Sequence, residues 1–179
     1  MNILLLKAFV FRYTGKRKAG NSAKKECRET AQKGNDMIAL ASDHGAYDLK
    51  ESVKKYLEEK GLEYKDFGCY SKESCDYPDF IKPATKAVAE GTCDRGIIMC
   101  TTGIGVSICA NKVPGIRCAL CGDPVSAKLT RLHNDANMLS IGAGITGEFL
   151  ALDIIDKFLN TPFSGDERHK RRIYKIEND

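Results

Sequence analysis

From residue 37 onward, short apolar runs alternate with segments in which apolar residues recur at helical spacing. One run, Ile97 to Met99, contains no polar position and ends at Cys100. A run that is apolar on both faces is typical of a central parallel strand. Five strands are predicted: Met37–Ser42, the more exposed Leu62–Phe67, the run ending at Cys100, Ile116–Cys121 and Asn137–Ile141.

Helical segments lie between these predicted strands. Pro78 and the pair Asp123-Pro124 mark helix starts, because aspartate caps a helix and proline suits its first turn. Gly61 and Gly91 are predicted to end helices. The alternation predicts an α/β protein with a three-layer, Rossmann-like fold, in which a five-stranded parallel sheet carries helices on both faces.

Two of the later helices carry more specific expectations. Val125, Leu129 and Leu132 recur at helical spacing after Asp123, so they are predicted to share one face of that helix. The segment from Ser164 to Glu167 has the pattern of a capping box and is predicted to begin a last, highly charged helix.

Residues 1–36 differ in composition from the rest of the chain. They hold nine Lys or Arg and three Asp or Glu (9 − 3 = +6), whereas residues 37–179 hold 19 and 21 (19 − 21 = −2). The order of apolar and basic residues fits a secretory signal poorly, and a Lys-rich composition with a single Ser fits a transit peptide poorly, so targeting is the less favoured alternative. We expect residues 1–36 to be a disordered basic extension or the result of an upstream start codon, and residues 37–179 to be the folded domain.

Charge and cysteine content narrow the class of protein. The mildly acidic domain argues against a nucleic-acid partner, and the sequence has no run of about 18 apolar residues that would predict a membrane span. The eight cysteines are scattered, so reduced thiols and a cytoplasmic location are expected. Cys118 and Cys121 form an isolated C-x-x-C in a predicted strand, where core packing is favoured over zinc binding or thiol redox chemistry.

The turn after the third strand is the first candidate for chemistry. Gly103 and Gly105 allow a tight turn and close approach of a ligand, and the backbone amides of such turns bind anions. Cys100 lies beside this turn, where a thiol close to a helix N-terminus can act as a base or nucleophile. The alternative is a buried core cysteine. A dinucleotide-binding G-x-G-x-x-G is excluded, because Ile108 occupies the third glycine position.

Polar residues at other element ends extend this candidate site. Ligands of open parallel sheets bind outside the carboxyl ends of the strands, so Asp43 and His44 are expected near Cys100, unless they only cap the following helix. His133 closes the helix after the fourth strand, with Asn134 beside it. Its cationic form is favoured at a helix C-terminus, which suits a general acid; the alternative is a surface capping contact.

Arg168 and Arg172 are four residues apart, so they share a helix face that suits a phosphate, or else they belong to a solvated basic surface.

A thiol base, an imidazole acid and an anion-binding turn together fit proton abstraction next to a carbonyl, with the amides stabilising an enediolate. The ligand class predicted is a phosphorylated small polar molecule. The three histidines lack metal-ligand spacing, so neither a metal nor a cofactor is expected.

Several motifs in order resemble those of type B ribose-5-phosphate isomerases, a group that includes galactose-6-phosphate and allose-6-phosphate isomerases. The resemblance runs from Met37 to about Lys175. The motifs are Ser42-Asp43-His44-Gly45, Asp76-Tyr77-Pro78, Cys100 to Ser107, Ala110-Asn111-Lys112, Gly115-Ile116-Arg117, His133 to Asn137, and Arg168-His169 with Arg172.

The resemblance implies a metal-independent interconversion of ribose 5-phosphate and ribulose 5-phosphate in the pentose phosphate pathway. Cys100 matches the thiol base that moves a proton between C2 and C1, and His133 matches the acid that helps to open the sugar ring. Some members use a glutamate a few residues later, but Val106 to Cys109 contains none. The residues assigned to catalysis are Cys100, His133, Thr102 and Asp43. Those assigned to substrate binding are Asp43, His44, Tyr77, Thr101, Thr102, Gly103, Ile104, Gly105, Asn134, Arg168 and Arg172.

The same resemblance implies a homodimer or homotetramer with sites shared across an interface, so that His133 of one chain would serve Cys100 of another.

Two departures from the pattern of this family bear on the choice of substrate. Gly144 stands where many members carry arginine, and the loop before Arg168 is one residue longer than is common. An isomerase of a six-carbon 6-phosphate sugar (allose or galactose 6-phosphate) therefore stays open, as does a non-catalytic sugar-phosphate-binding module of the same fold.

Overall fold

The computed structural model describes residues 37–178, and its centre is one parallel sheet. The strand order is β2-β1-β3-β5-β4. The strands are β1 (Ile38–Ser42), β2 (Tyr64–Asp66), β3 (Arg95–Cys100), β4 (Cys118–Leu120) and β5 (Met138–Gly142). The predicted five-stranded parallel sheet is confirmed. The expectations for residues 1–36 lie outside the described residues.

Six α-helices connect and follow the strands within residues 37–178. They are α1 (Tyr47–Glu59), α2 (Pro78–Ala89), α3 (Ile104–Ala110), α4 (Pro124–Asn134), α5 (Glu148–Asn160) and α6 (Glu167–Asn178), with a short 3-10 turn (His44–Ala46) before α1. None of the helices in this described part of the chain is long and apolar enough to cross a membrane.

The core has two halves, one on each face of the sheet, as the three-layer prediction requires. Ile97 and Met99 of β3 pack on one face with α1 and α5, whereas Ile98 and Cys100 pack on the other with α2 and α3. Successive side chains of a strand point to opposite faces, so one apolar run supplies both layers.

The face of α4 that carries Val125 and Leu129 is not the face that this helix turns to the core. Val125 and Leu129 are exposed, at 64% and 41% of their full surface, and the helix instead buries Ala127 and Arg131. The Arg131 guanidinium occupies an inward position because backbone carbonyls satisfy it, including that of Ala136 at 2.6 Å. A buried cation is tolerated only when it is paired in this way.

Capping was predicted correctly at one of the two helix starts. The Asp123 carboxylate accepts a hydrogen bond from the Ser126 amide at 2.8 Å, as expected of an N-cap. The capping box from Ser164 to Glu167 is wrong: the Ser164 hydroxyl accepts from the Asp166 amide at 3.3 Å and contacts Nδ1 of His169 at 2.9 Å. The Ser164 amide, which would donate to the Glu167 side chain in a capping box, donates instead to the Leu132 carbonyl at 3.2 Å.

The C-x-x-C pair lies in and just after the edge strand β4. Cys118 packs with the core on one face of the sheet and Cys121 with the core on the other. Cysteines whose side chains point apart cannot form a disulfide without backbone movement. Burial raises the pKa of the Cys121 thiol to about 11, so both position and protonation oppose redox chemistry here.

Candidate functional site

Cys100 ends β3 at the carboxyl edge of the sheet and is 5% exposed. The amide of Gly103 donates a hydrogen bond to its sulfur at 3.1 Å. Cys100 therefore lies at the predicted edge of the sheet, with a backbone amide donor aimed at its sulfur.

The turn after Cys100 is held against the end of β5. Gly103 has φ +76°, a left-handed conformation that favours glycine, and a Cβ there would lie 2.9 Å from both the Gly142 nitrogen and the Ile141 carbonyl carbon. Ala143 N–H donates to the Cys100 carbonyl at 2.9 Å. The tight turn predicted at Gly103 is confirmed, and the structure shows that this glycine also allows the turn to pack against the backbone of β5.

Thr101 and Thr102 are exposed on this turn. The Thr102 hydroxyl accepts a hydrogen bond from the amide of Ile104 at 3.3 Å, which folds the turn back on itself. The Thr101 side chain lies between two glycines, Gly45 and Gly144, and a Cβ at Gly144 would come within 3.0 Å of its methyl group. The absence of side chains on either side leaves the Thr101 hydroxyl open to a ligand.

Asp43 lies next to the Cys100 turn, because β1 and β3 are paired neighbours. Its amide donates to the Met99 carbonyl at 3.1 Å, and its carboxylate caps the next turn through the Ala46 amide at 3.1 Å. His44 is half-buried, and its Nδ1 accepts from the Cys75 amide at 3.3 Å. The expected meeting of the first and third strand ends is confirmed, and so is the capping role of Asp43.

Tyr77 packs against the same turn. A Cβ at Gly105 would lie 2.9 Å from the Tyr77 ring and its hydroxyl, so the ring sits directly over this glycine. The structure therefore groups nine of the predicted site residues at one edge: Asp43, His44, Tyr77, Cys100, Thr101, Thr102, Gly103, Ile104 and Gly105.

A second group forms around the end of α4 and the start of α6. The rings of His133 and His169 have centroids 4.5 Å apart, and the Ser164 hydroxyl lies 2.9 Å from Nδ1 of the buried His169. Burial lowers the pKa of His169, and the nearby positive charges of Arg168 and His133 lower it further. Arg172 adds to the same positive field, so both predicted phosphate-binding arginines lie near this histidine pair.

The two groups lie at opposite edges of the sheet. Arg117, which directly precedes β4, donates from Nε to the Asn134 carbonyl at 2.9 Å, so the end of α4 lies at the amino edge. Cys100 lies at the carboxyl edge, about 16 Å away along a strand the length of β3. Within one chain, His133 and Cys100 are not brought together.

A cavity of about 560 Å³ opens at the amino edge, with Asn134, Arg117 and Glu177 in its wall. The Arg117 guanidinium is already paired there, with Glu177 at 2.6 Å and the Asp135 carbonyl at 2.9 Å. The cavity lacks the Cys100 turn.

Two asparagines in the family-like motifs hold the sheet rather than a ligand. Asn111 pairs with the backbone of Cys118 through both ends of its amide, at 2.8 and 2.9 Å. Asn137 likewise accepts from the Arg117 amide at 2.9 Å and donates to the Gly115 carbonyl at 2.8 Å. Both fasten the segment that leads into edge strand β4.

Sequence reasoning missed Ser140, whose hydroxyl donates to the Gly103 carbonyl at 2.6 Å from a fully buried position in β5. The available signal was a single hydroxyl in an otherwise apolar strand, because a buried hydroxyl needs a partner. Among residues 37–178, no group of three or more His, Cys, Asp or Glu is arranged to hold a metal ion.

Comparison with known proteins identifies the family. A family model described as Ribose/Galactose Isomerase matches residues 38–176. The chain is similar to the crystal structure of a ribose 5-phosphate isomerase from Thermotoga maritima, with a TM-score of 0.78 and 50% identity, covering 80% of this chain and 98% of that one.

The names of two curated relatives specify different sugar phosphates. Ribose-5-phosphate isomerase B of Escherichia coli is 42% identical over 139 residues, which cover 78% of this chain and 93% of the relative. A D-erythrulose-4-phosphate isomerase of Pectobacterium atrosepticum is 41% identical over 129 residues, covering 72% and 85%.

Proposed function

Because the chain belongs to the ribose/galactose isomerase family, we propose that it interconverts ribose 5-phosphate and ribulose 5-phosphate. The observation that carries the proposal is the Cys100 thiol with an amide donor aimed at its sulfur, beside an exposed threonine turn. A binding module would not need a base in that place. The relatives named as ribose-5-phosphate isomerases support the choice of substrate.

In the proposed reaction the Cys100 thiolate removes the proton from C2 of the open-chain aldose. Electrons of the broken C–H bond form the enediolate double bond, and the carbonyl oxygen at C1 takes the negative charge. Backbone amides and hydroxyls of the Thr101–Gly105 turn stabilise that oxygen. The proton of the C2 hydroxyl moves to the negatively charged C1 oxygen, and the Cys100 thiol returns its proton to C1. C2 thereby becomes the carbonyl, C1 becomes CH2OH and the Cys100 thiolate is regenerated, so no redox partner is consumed.

A second copy of the chain completes the proposed site. The general acid and the two phosphate-binding arginines lie at the amino edge, whereas the base lies at the carboxyl edge. Large apolar side chains are exposed on elements that meet the carboxyl edge, including Phe149 at 90%, Ile145 at 75% and Ile108 at 56%. Apolar surface of this extent favours association. We infer a homodimer in which His133, Asn134, Arg168 and Arg172 serve the partner's base.

The first experiment is a coupled isomerase assay of the full chain with ribose 5-phosphate in EDTA. Cys100→Ala is expected to abolish turnover while leaving the affinity for the sugar phosphate unchanged. Cys121→Ala is the matched control, because it removes another buried thiol at the end of a strand at the same edge. Turnover that persists in Cys100→Ala, or an equal loss in both variants, would refute Cys100 as the base.

A mixing experiment tests the shared site. Cys100→Ala and His133→Asn chains are each expected to be inactive, but a heterodimer combines an intact Cys100 with an intact His133 in one of its two sites. Random mixing makes half of the dimers mixed, so about a quarter of the wild-type activity should return. If mass spectrometry shows that subunits have exchanged but activity does not return, each site belongs to one subunit.

Gly144 is the residue that bears on sugar choice, since it stands where the resemblance expects arginine; a Cβ there would lie 3.0 Å from the Thr101 methyl group and 3.1 Å from the Thr101 carbonyl oxygen. Comparing kcat/KM for ribose 5-phosphate, allose 6-phosphate and erythrulose 4-phosphate decides between five-, six- and four-carbon substrates. We place the reaction in the pentose phosphate pathway and the protein in the cytoplasm, where a thiol base stays reduced.

A further inference from the structure

Ser140 is the one hydroxyl side chain in β5, whose other residues are Met138, Leu139, Ile141 and Gly142. Its side chain is fully buried. A hydroxyl taken out of water is costly unless it is hydrogen-bonded. Ser140 meets this demand with a short hydrogen bond, donating to the Gly103 carbonyl at 2.6 Å.

Gly103 carries two contacts that matter to the thiol. Its N–H donates to the Cys100 sulfur at 3.1 Å, and its carbonyl accepts from Ser140 and also from the Ser107 amide at 3.2 Å. Glycine has the widest backbone freedom of any residue, so its orientation depends on outside contacts. Ser140 supplies such a contact from a strand that is itself rigidly paired with β3.

We propose that Ser140 is a positioning residue for Cys100: its hydroxyl holds Gly103 so that the Gly103 amide stays aimed at the sulfur. Without it, the Gly103 carbonyl keeps only the longer bond from Ser107, and the amide is freer to turn away. The thiolate then loses its donor, although Ser140 touches neither the sulfur nor the substrate. The expected effect of Ser140 on kcat rests on the proposed isomerase function. The expected effect on the reactivity of the Cys100 sulfur does not.

The test compares Ser140→Ala with Thr85→Val in the full chain. Thr85 is an equally buried hydroxyl that donates to a backbone carbonyl, that of Ile81 at 2.7 Å, inside α2. The rate of alkylation of Cys100 by iodoacetamide is followed by peptide mass spectrometry, with the half-buried Cys75 as internal reference. kcat and KM for ribose 5-phosphate are measured on the same samples.

In Ser140→Ala, the alkylation rate of Cys100 and kcat should both fall about three- to tenfold, the factor expected for one hydrogen bond. Alkylation of Cys75 and the KM should not change. Thr85→Val should lower thermal stability without changing Cys100 alkylation or kcat. Ser140→Thr keeps the hydroxyl and should restore most of the lost rate.

Unchanged or faster alkylation of Cys100 in Ser140→Ala would overturn the proposal, as would a parallel loss at Cys75 or in Thr85→Val. If the wild-type chain turns over none of the sugar phosphates, the proposed function fails. The alkylation comparison still decides the role of Ser140 in that case.

Discussion

Replacing Gly103 by alanine perturbs the turn in two separable ways. The residue has φ +76°, where an L-residue costs about 1–2 kcal/mol relative to glycine. The new Cβ would also lie 2.9 Å from the Gly142 nitrogen and 2.9 Å from the Ile141 carbonyl carbon. These are backbone atoms of a central strand and cannot rotate away, so overpacking adds about 1–3 kcal/mol.

Gly91 provides the matched control. It has nearly the same conformation, φ +74°, but nothing lies within 4 Å of the position that a Cβ would occupy. Gly91→Ala therefore carries only the backbone cost, about 1–2 kcal/mol. For Gly103→Ala the sum is about 2–5 kcal/mol. At about 3 °C per kcal/mol, the melting temperature should fall by about 3–6 °C in Gly91→Ala and by about 6–15 °C in Gly103→Ala.

The assay is thermal unfolding of both variants and the wild type by circular dichroism, with isomerase activity measured below the transitions. Gly103→Ala should also lose activity, because the shifted amide no longer meets the Cys100 sulfur, whereas Gly91→Ala should retain it. Equal melting temperatures for the two variants would refute the claim that the turn is packed against β5. Full activity in Gly103→Ala would refute the role of its amide.

Two further predictions concern the neighbours of this turn and the second group. Gly45→Ala should destabilise the protein by about 1–3 kcal/mol, because its Cβ would overlap the Thr101 hydroxyl, and Thr101→Ala in the same chain should remove most of that loss in a thermal double-mutant cycle; simple additivity would contradict this. Because the pKa of His169 is lowered in the folded protein, the unfolded chain takes up this proton at a higher pH than the folded chain does. Urea unfolding should therefore show stability falling as the pH drops from about 8 to about 5.5, and His169→Gln should flatten that slope; an unchanged slope would contradict the assignment.

Local features of the sequence were sufficient to predict the secondary-structure elements and the group of residues at the carboxyl edge of the sheet. The apolar run ending at Cys100 and the Asp123 cap both depend on neighbours within a few residues, and the structure confirms both. The rule that ligands of parallel sheets lie at strand ends then placed Asp43 beside Cys100 without any knowledge of contacts. The pattern did not indicate which face of α4 is buried: Val125 is exposed, and Arg131, paired with backbone carbonyls, occupies the core face.

By itself, the sequence determined the order and type of the elements, the parallel sheet and the residues with chemical potential. Periodicity, caps and turns act over a few residues, so they can be recognised along the chain. Only the tertiary structure decided that Ser140 reaches Gly103 across 37 positions, and that His133 and Cys100 lie at opposite edges. Those relations depend on the order of the strands in the sheet and on the edge of the sheet at which each helix ends. No local sequence pattern encodes the strand order or the place where a helix ends.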